Sequence, residues 1–248
     1  MLNGLLRVAL LISGGGTTAR EILRACKDGR LPHVHPTLMI ASKPDAGGIQ
    51  KALAEGMSDK DIVVIRPKRG CPGSPEFGEA ILAECRKRDV DFVGQYGWLP
   101  VTPGNVIEAY QDMIVNQHPG PLDPERPPGF DFGGDGMYGR RVHCARLYFV
   151  RKVIGDYWTE AVSHRVVTKL DRGAVVNSAR IEILPTDDVV SLQESVLPIE
   201  HSVQVGTLRM FSEGTVKEIR RDEPLIHRAM FGTLKEAKRL AIMLWPQG

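Results

Sequence analysis

The chain has 248 residues, 42% of them hydrophobic and 25% charged, with a formal charge of +2. That size suits one α/β unit with appendages, and so small a positive excess carries no nucleic-acid signature and fits an anionic metabolite equally well. No apolar run approaches the roughly 20 residues a membrane helix needs. Residues 1–11 run directly into a glycine turn and read as a first strand rather than a signal peptide, so a cytoplasmic protein is expected.

Strands and helices alternate through the first half. Residues 8–12 read as strand one and 18–27 as a helix ending near Gly29. Residues 37–40 form a second strand, about 46–56 a helix and 62–65 a third strand. A turn-rich loop follows over 66–73. Ser74 then offers an N-cap with Pro75 in the first helical position, and Phe77, Ile81 and Cys85 share one face. A fourth strand begins at Phe92-Val93, and Met113-Ile114-Val115 is a fifth. This alternation implies a mostly parallel sheet with helices on both faces. The pattern then changes. Residues 161–167 and 174–183 are strand-like with only 168–173 between them, which predicts a hairpin and hence partly antiparallel late strands. A long helix over about 187–211 follows, with Pro198 expected to kink or restart it just before Glu200. A charged segment and a short final helix complete the chain.

Two short motifs carry chemistry. Asn116-Gln117-His118-Pro119 stands where the fifth strand ends, and ligands of open α/β sheets bind beyond the carboxyl ends of strands. Leu170-Asp171-Arg172-Gly173 lies in the hairpin loop. An amide, an imidazole and a carboxylate without a nucleophilic serine or cysteine suit attack of an amine on an acyl or formyl carbon with no covalent enzyme intermediate. Asn116 can donate to a developing oxyanion, His118 can pass a proton, and Asp171 can hold the imidazole or a water. A strand-end Asn-x-His can also serve only to tie down a loop, and Asp before Gly is a common turn. Ser13-Gly14-Gly15-Gly16-Thr17-Thr18 joins the first strand to the first helix, where bare backbone amides and the helix N-terminus favour a phosphate. It is neither G-x-G-x-x-G nor a Walker loop. Cys26, Cys71, Cys85 and Cys144 lie far apart with no C-x-x-C, so reduced thiols are expected. His33 and His35 lack a third ligand, and no metal site is expected. The run Arg66-Pro67-Lys68-Arg69 reads as a solvated face.

With these motifs in hand, the chain resembles the folate-dependent formyltransferases over roughly residues 5–212. The family carries Asn-x-His-Pro at a strand end, a later Leu-Asp-x-Gly loop and, in its glycinamide-acting members, a phosphate loop similar to residues 13–18. Ser42-Lys43-Pro44-Asp45-Ala46, Ser163-His164 and Glu200-His201 are further matches. The resemblance implies a Rossmann-like formyltransferase fold, 10-formyltetrahydrofolate as co-substrate and glycinamide ribonucleotide as acceptor. It implies Asn116, protonated His118 and Asp171 as catalytic residues. Gly15, Gly16, Thr17 and Thr18 would take the substrate phosphate, and Glu200 its amine. Tyr96, Trp98, Leu99, Val101, His164, Thr168 and Leu170 would hold the folate, whose ring would lie against segments 96–101 and 168–173 largely through backbone groups. An amino-sugar nucleotide as acceptor, or water in a hydrolase, are the alternatives.

The same resemblance implies one formyltransferase domain: about 1–115 for nucleotide, 116–214 for folate and catalysis, and 215–248 as a tail. A monomer or homodimer is expected. One departure stands out. The family continues His-Pro with Ser-Leu-Leu-Pro, whereas residues 120–139 here hold ten Gly or Pro in twenty. Phe130, Phe132 and Tyr138 within it could close as a lid or pack down as a flap.

Overall fold

The computed structural model describes residues 4–68, 70–71 and 73–248. Residues 1–3 of the first-strand reading, Arg69 of the basic run and Pro72 of the loop after the third strand lie outside the described residues. The chain divides into two compact units, Met1–Gln117 with Gln204–Val216, and His118–Val203 with Lys217–Gly248.

The first unit is a parallel sheet of β1 (Leu6–Ile12), β2 (Val34–Ala41), β3 (Ile62–Val64), β4 (Phe92–Gln95) and β5 (Ile114–His118), in the order β3-β2-β1-β4-β5. Every residue of β1 but Arg7 is buried, the unbroken apolar run expected of a strand covered on both faces. The chain builds outward from β1 to β3, then crosses back to β4 and β5. Right-handed crossovers therefore place the connections on opposite faces. The packing agrees: α1 (Thr17–Lys27) meets α2 (Gly47–Ala54), and α3 (Pro75–Arg86) meets α4 (Gly104–Ala109). Ser74 caps α3 as expected, its hydroxyl accepting from the Phe77 amide at 3.3 Å. The six-residue helix α4, opened by Pro103, has no counterpart in the sequence reading.

The second unit holds α5 (Arg140–Val153), β6 (Trp158–Arg165), β7 (Val175–Glu182), the first part of α6 (Val189–Glu213) and α7 (Phe231–Leu244). The expected hairpin is present: β6 and β7 pair antiparallel from Trp158 opposite Glu182 to His164 opposite Val175. Its core gathers Phe132, Leu147, Phe149, Leu192, Val196 and Leu234. Helix α5 was not foreseen. Its buried side includes Arg141, His143 and Arg146, which erases the usual division into apolar and charged faces. Arg146 is accommodated because its guanidinium donates to the Trp158 and Asp156 carbonyls and lies among the rings of Phe132, Phe149 and Trp158. The expected restart before Glu200 does not occur. The helix α6 runs on through Pro198, the Ser202 hydroxyl donating to the Pro198 carbonyl at 3.1 Å. One missing N–H bond is offset by tertiary packing of Val196 and Val203 on either side.

Segment 120–139 packs down. Leu122 and Phe132 are fully buried, Phe130 stacks on Phe231 with ring centroids 4.4 Å apart, and Tyr138 lies under the Arg141 guanidinium. The flap reading holds, and the lid reading fails because these rings are already committed to a core.

Candidate active site

In the first unit, chain order reverses between β2 and β4 around β1, and the loops after β1 and β4 sit side by side. The Ser13 amide donates to the Gly97 carbonyl at 3.0 Å, and the Leu99 amide donates to the Ser13 hydroxyl at 2.9 Å. Such a reversal leaves a crevice outside the strand ends. Gly16 adopts φ +61° immediately before α1, and a Cβ there would lie 2.4 Å from the Gly48 Cα. Only glycine permits that approach of two backbones. Gly15 is exposed, Gly16 and Thr17 are half-buried, and Thr18 is buried. Sequence reading missed Lys51, whose ammonium group donates to the Gly15 carbonyl at 2.7 Å. Its signal is absent from the loop itself because it arrives from α2.

The two aromatic residues of the segment expected against the folate turn their rings inward, which leaves its backbone for the ligand. Tyr96 is 3% exposed and packs over Gly94, while Trp98 is 7% exposed and stacks on Phe77. Both belong to the core of the first unit, so neither side chain offers a surface. Leu99 and Val101 on the same segment are exposed. Asn116 lies within β5, opposite Gln95 in the register of β4, rather than beyond the strand. His118 is the last residue of β5, so the two side chains, two positions apart, share a face of the strand.

The second unit assembles a buried acid–base cluster. His118 Nδ1 stands 3.8 Å from Asp171 Oδ2, and His164 Nε2 stands 3.4 Å from Asp171 Oδ1. The two imidazoles meet edge to face with centroids 6.5 Å apart. His164, expected on the folate side, is instead a partner of the carboxylate. The pairing of β6 with β7 has a register irregularity between Ser163 and His164, beside this contact. Asp171 holds the left-handed conformation at φ +54°, which a carboxylate residue tolerates better than most. Gly173 closes the loop: a Cβ there would lie 1.8 Å from the Arg165 carbonyl oxygen.

Segment 120–139 completes the cluster. The Gly134 amide donates to Asp171 Oδ2 at 2.8 Å, and the Phe132 carbonyl lies 3.2 Å from His118 Nε2. Asp131 steadies that turn, accepting from the Gly133 amide at 3.1 Å and from Arg172 at 3.0 Å. His143 on α5, which sequence reading passed over, is buried nearby, and its Nδ1 has no hydrogen-bond partner. No spacing motif links a residue on α5 to His118 or Asp171.

Electrostatics follow from the geometry. Burial on its own would raise the Asp171 pKa. The His118 charge, the hydrogen bond from His164, the His164 charge and the Gly134 amide outweigh it and hold the carboxyl well below the usual range. Burial pushes the His118 pKa down, and His164 adds to this, against the upward pull of Asp171, Asp131 and the Phe132 carbonyl. Burial thus favours the neutral imidazole of His118 beside a charged Asp171 carboxylate, a pair able to take up a proton. Burial also drives His143 down to about 4, with a smaller contribution from His118. Each of His118 and His164 has an acceptor facing both ring nitrogens. The cluster is therefore shaped to receive a proton that burial makes it reluctant to keep.

Of the remaining expected residues, Thr168 and Leu170 are exposed in the hairpin loop, and Glu200 is buried on α6.

Residues 6–127 match the formyl transferase family. A phosphoribosylglycinamide formyltransferase of Arabidopsis thaliana chloroplasts is 29% identical over 221 residues, covering 89% of this chain and 70% of that protein. The crystal structure of phosphoribosylglycinamide formyltransferase from Brucella melitensis superposes with a TM-score of 0.67 at 27% identity, covering 87% of this chain and all of that one. That of glycinamide ribonucleotide transformylase 1 from Symbiobacterium toebii gives a TM-score of 0.69 at 26% identity, over 85% of this chain and 89% of that one.

Proposed function

We infer that this chain, a member of the formyl transferase family, transfers the formyl group of 10-formyltetrahydrofolate to the amine of glycinamide ribonucleotide, a step of purine biosynthesis. The observation that carries the reading is the buried His118–Asp171–His164 cluster, which can take a proton from an attacking amine and return it to a departing one.

Exposed apolar side chains in each unit suit a folate. In the first unit Leu99 and Val101 follow β4, and in the second Val167 and Leu170 lie in the hairpin loop, each at least 40% exposed. The folate supplies an activated formyl carbon when bound. The chain's own residues do the rest. The Ser13–Thr18 loop takes the 5′-phosphate on Gly15, Gly16, Thr17 and Thr18. Glu200 holds the amine, which attacks the formyl carbon. Asn116 donates to the developing oxyanion, a contact typically worth about 3 kcal/mol. The proton shed by the amine passes to the Asp171 cluster, where His118, with Asp171 on one ring nitrogen and the Phe132 carbonyl on the other, can take it up. The same proton then leaves for the folate nitrogen as the carbon–nitrogen bond breaks, so no covalent enzyme intermediate forms.

In this reading about 1–115 serve the nucleotide and 116–214 the folate and the chemistry, in a cytoplasmic monomer or homodimer. An acceptor panel tests it. The full chain is incubated with 10-formyltetrahydrofolate and glycinamide ribonucleotide, an amino-sugar nucleotide, or no amine, with product mass and released formate measured. Formylglycinamide ribonucleotide is the expected product. Transfer to the amino sugar alone, or formate release that needs no amine, would replace this acceptor.

A further inference from the structure

Of residues 215–248, expected as a tail, Lys217–Gly248 are built into the second unit. Helix α7 buries Leu234, Ala237 and Ala241 in the core, Phe231 stacks on Phe130, and the Trp245 carbonyl accepts from Arg141 at 2.8 Å. On that helix Lys238 is half-buried, and its ammonium group donates to the Gly133 carbonyl at 2.7 Å. The next amide along, Gly134 N–H, is the one that binds the Asp171 carboxylate. Gly133 is itself wedged in place, since a Cβ there would lie 2.6 Å from Leu122 Cδ2 and 2.7 Å from Asp171 Cβ.

We propose that Lys238 is a positioning residue for Asp171: it fixes the Gly133–Gly134 peptide so that the Gly134 amide points at the carboxylate, and it sets a positive charge beside the buried cluster. This rests on the formyl-transfer reading for its catalytic consequence. The groups that face Asp171 are His118 from β5, His164 from β6, and the Gly134 amide, with Asp131 and Arg172 close by. His143 of α5 faces His118. Among these Lys238 has an electrostatic part to play, because Asp131 and Asp171 pull its proton on while burial and Arg172 push it off. A segment outside the family's matched residues thereby supplies part of the support for the site.

The test uses the full chain with Lys238→Met, Lys238→Gln and Lys238→Arg. Glutamine keeps a donor for Gly133 without the charge, and it serves should methionine prevent folding. The first readout needs no substrate: NMR titration of the His118 ring. Loss of a neighbouring positive charge lets an imidazole hold its proton to higher pH, so the His118 midpoint moves up by about half a pH unit in the methionine and glutamine variants and stays in place with arginine. The second readout is formyl transfer, where kcat falls about 10-fold in the methionine variant, KM changes by less than about 2-fold, and arginine restores most of the rate. A His118 midpoint unmoved in folded methionine or glutamine variants would overturn the proposal. So would an equal loss of kcat with arginine. Should the wild-type chain transfer formyl to no amine, the functional reading falls while the histidine titration still judges Lys238.

Discussion

Residues 13–18 and residues 120–139 are both rich in glycine, yet the first segment is an open turn and the second is a folded part of a core. In the first, the glycines bring backbone to backbone: Gly16 meets Gly48, and Gly15 stays exposed with Lys51 over its carbonyl. No large side chain within it is buried. In the second, the glycines make room for neighbours that are large. Gly120 accommodates Val142 and Gly133 accommodates Leu122, while Phe132 is fully buried against Phe149. Glycine content sets how closely a backbone can be approached. The apolar residues between the glycines decide whether anything approaches it from the same chain or a ligand does.

That contrast can be broken from either side. Phe132→Ala removes an aromatic side chain from the core of the second unit and is expected to cost about 3–5 kcal/mol of stability, measured by denaturant or thermal unfolding. A change below about 1 kcal/mol would mean that segment 120–139 is not held as a core. Gly16→Ala acts on the open turn. Its Cβ would collide with Gly48 at a residue of positive φ, displacing the amides that the proposed function gives to the phosphate. KM for the ribonucleotide is expected to rise about 10-fold with kcat altered by less than about 3-fold, in steady-state kinetics. An unchanged KM would remove this loop from phosphate binding.

The same contrast explains what could be read from the sequence. The parallel strands were legible because β1 from Val8 and β2 from Leu38 are continuous apolar runs, and α3 because Ser74 and Pro75 announce it. The hairpin and its Asp171 loop were legible from spacing alone. Helix α5 was not, since Arg141 and Arg146 are buried by carbonyls and rings that come from other elements. The inward packing of Trp98 was not legible, because its stacking partner Phe77 lies 21 positions earlier on α3. His164 was noticed, but its contact with Asp171, seven positions on in the hairpin loop, has no signal in the strand pattern. Lys51, His143 and Lys238 carry no local signal at all; each reaches its place from a helix remote in sequence from what it touches. The residue types of the candidate site were thus legible, and its supporting contacts were not.

The claim that the buried cluster carries the chemistry is tested most directly by kcat for formyl transfer to glycinamide ribonucleotide in His118→Ala and Asp171→Asn, beside the wild-type chain. Each substitution is expected to lower kcat by about 10²-fold or more while leaving the protein folded. Near-normal turnover in both variants would contradict the account.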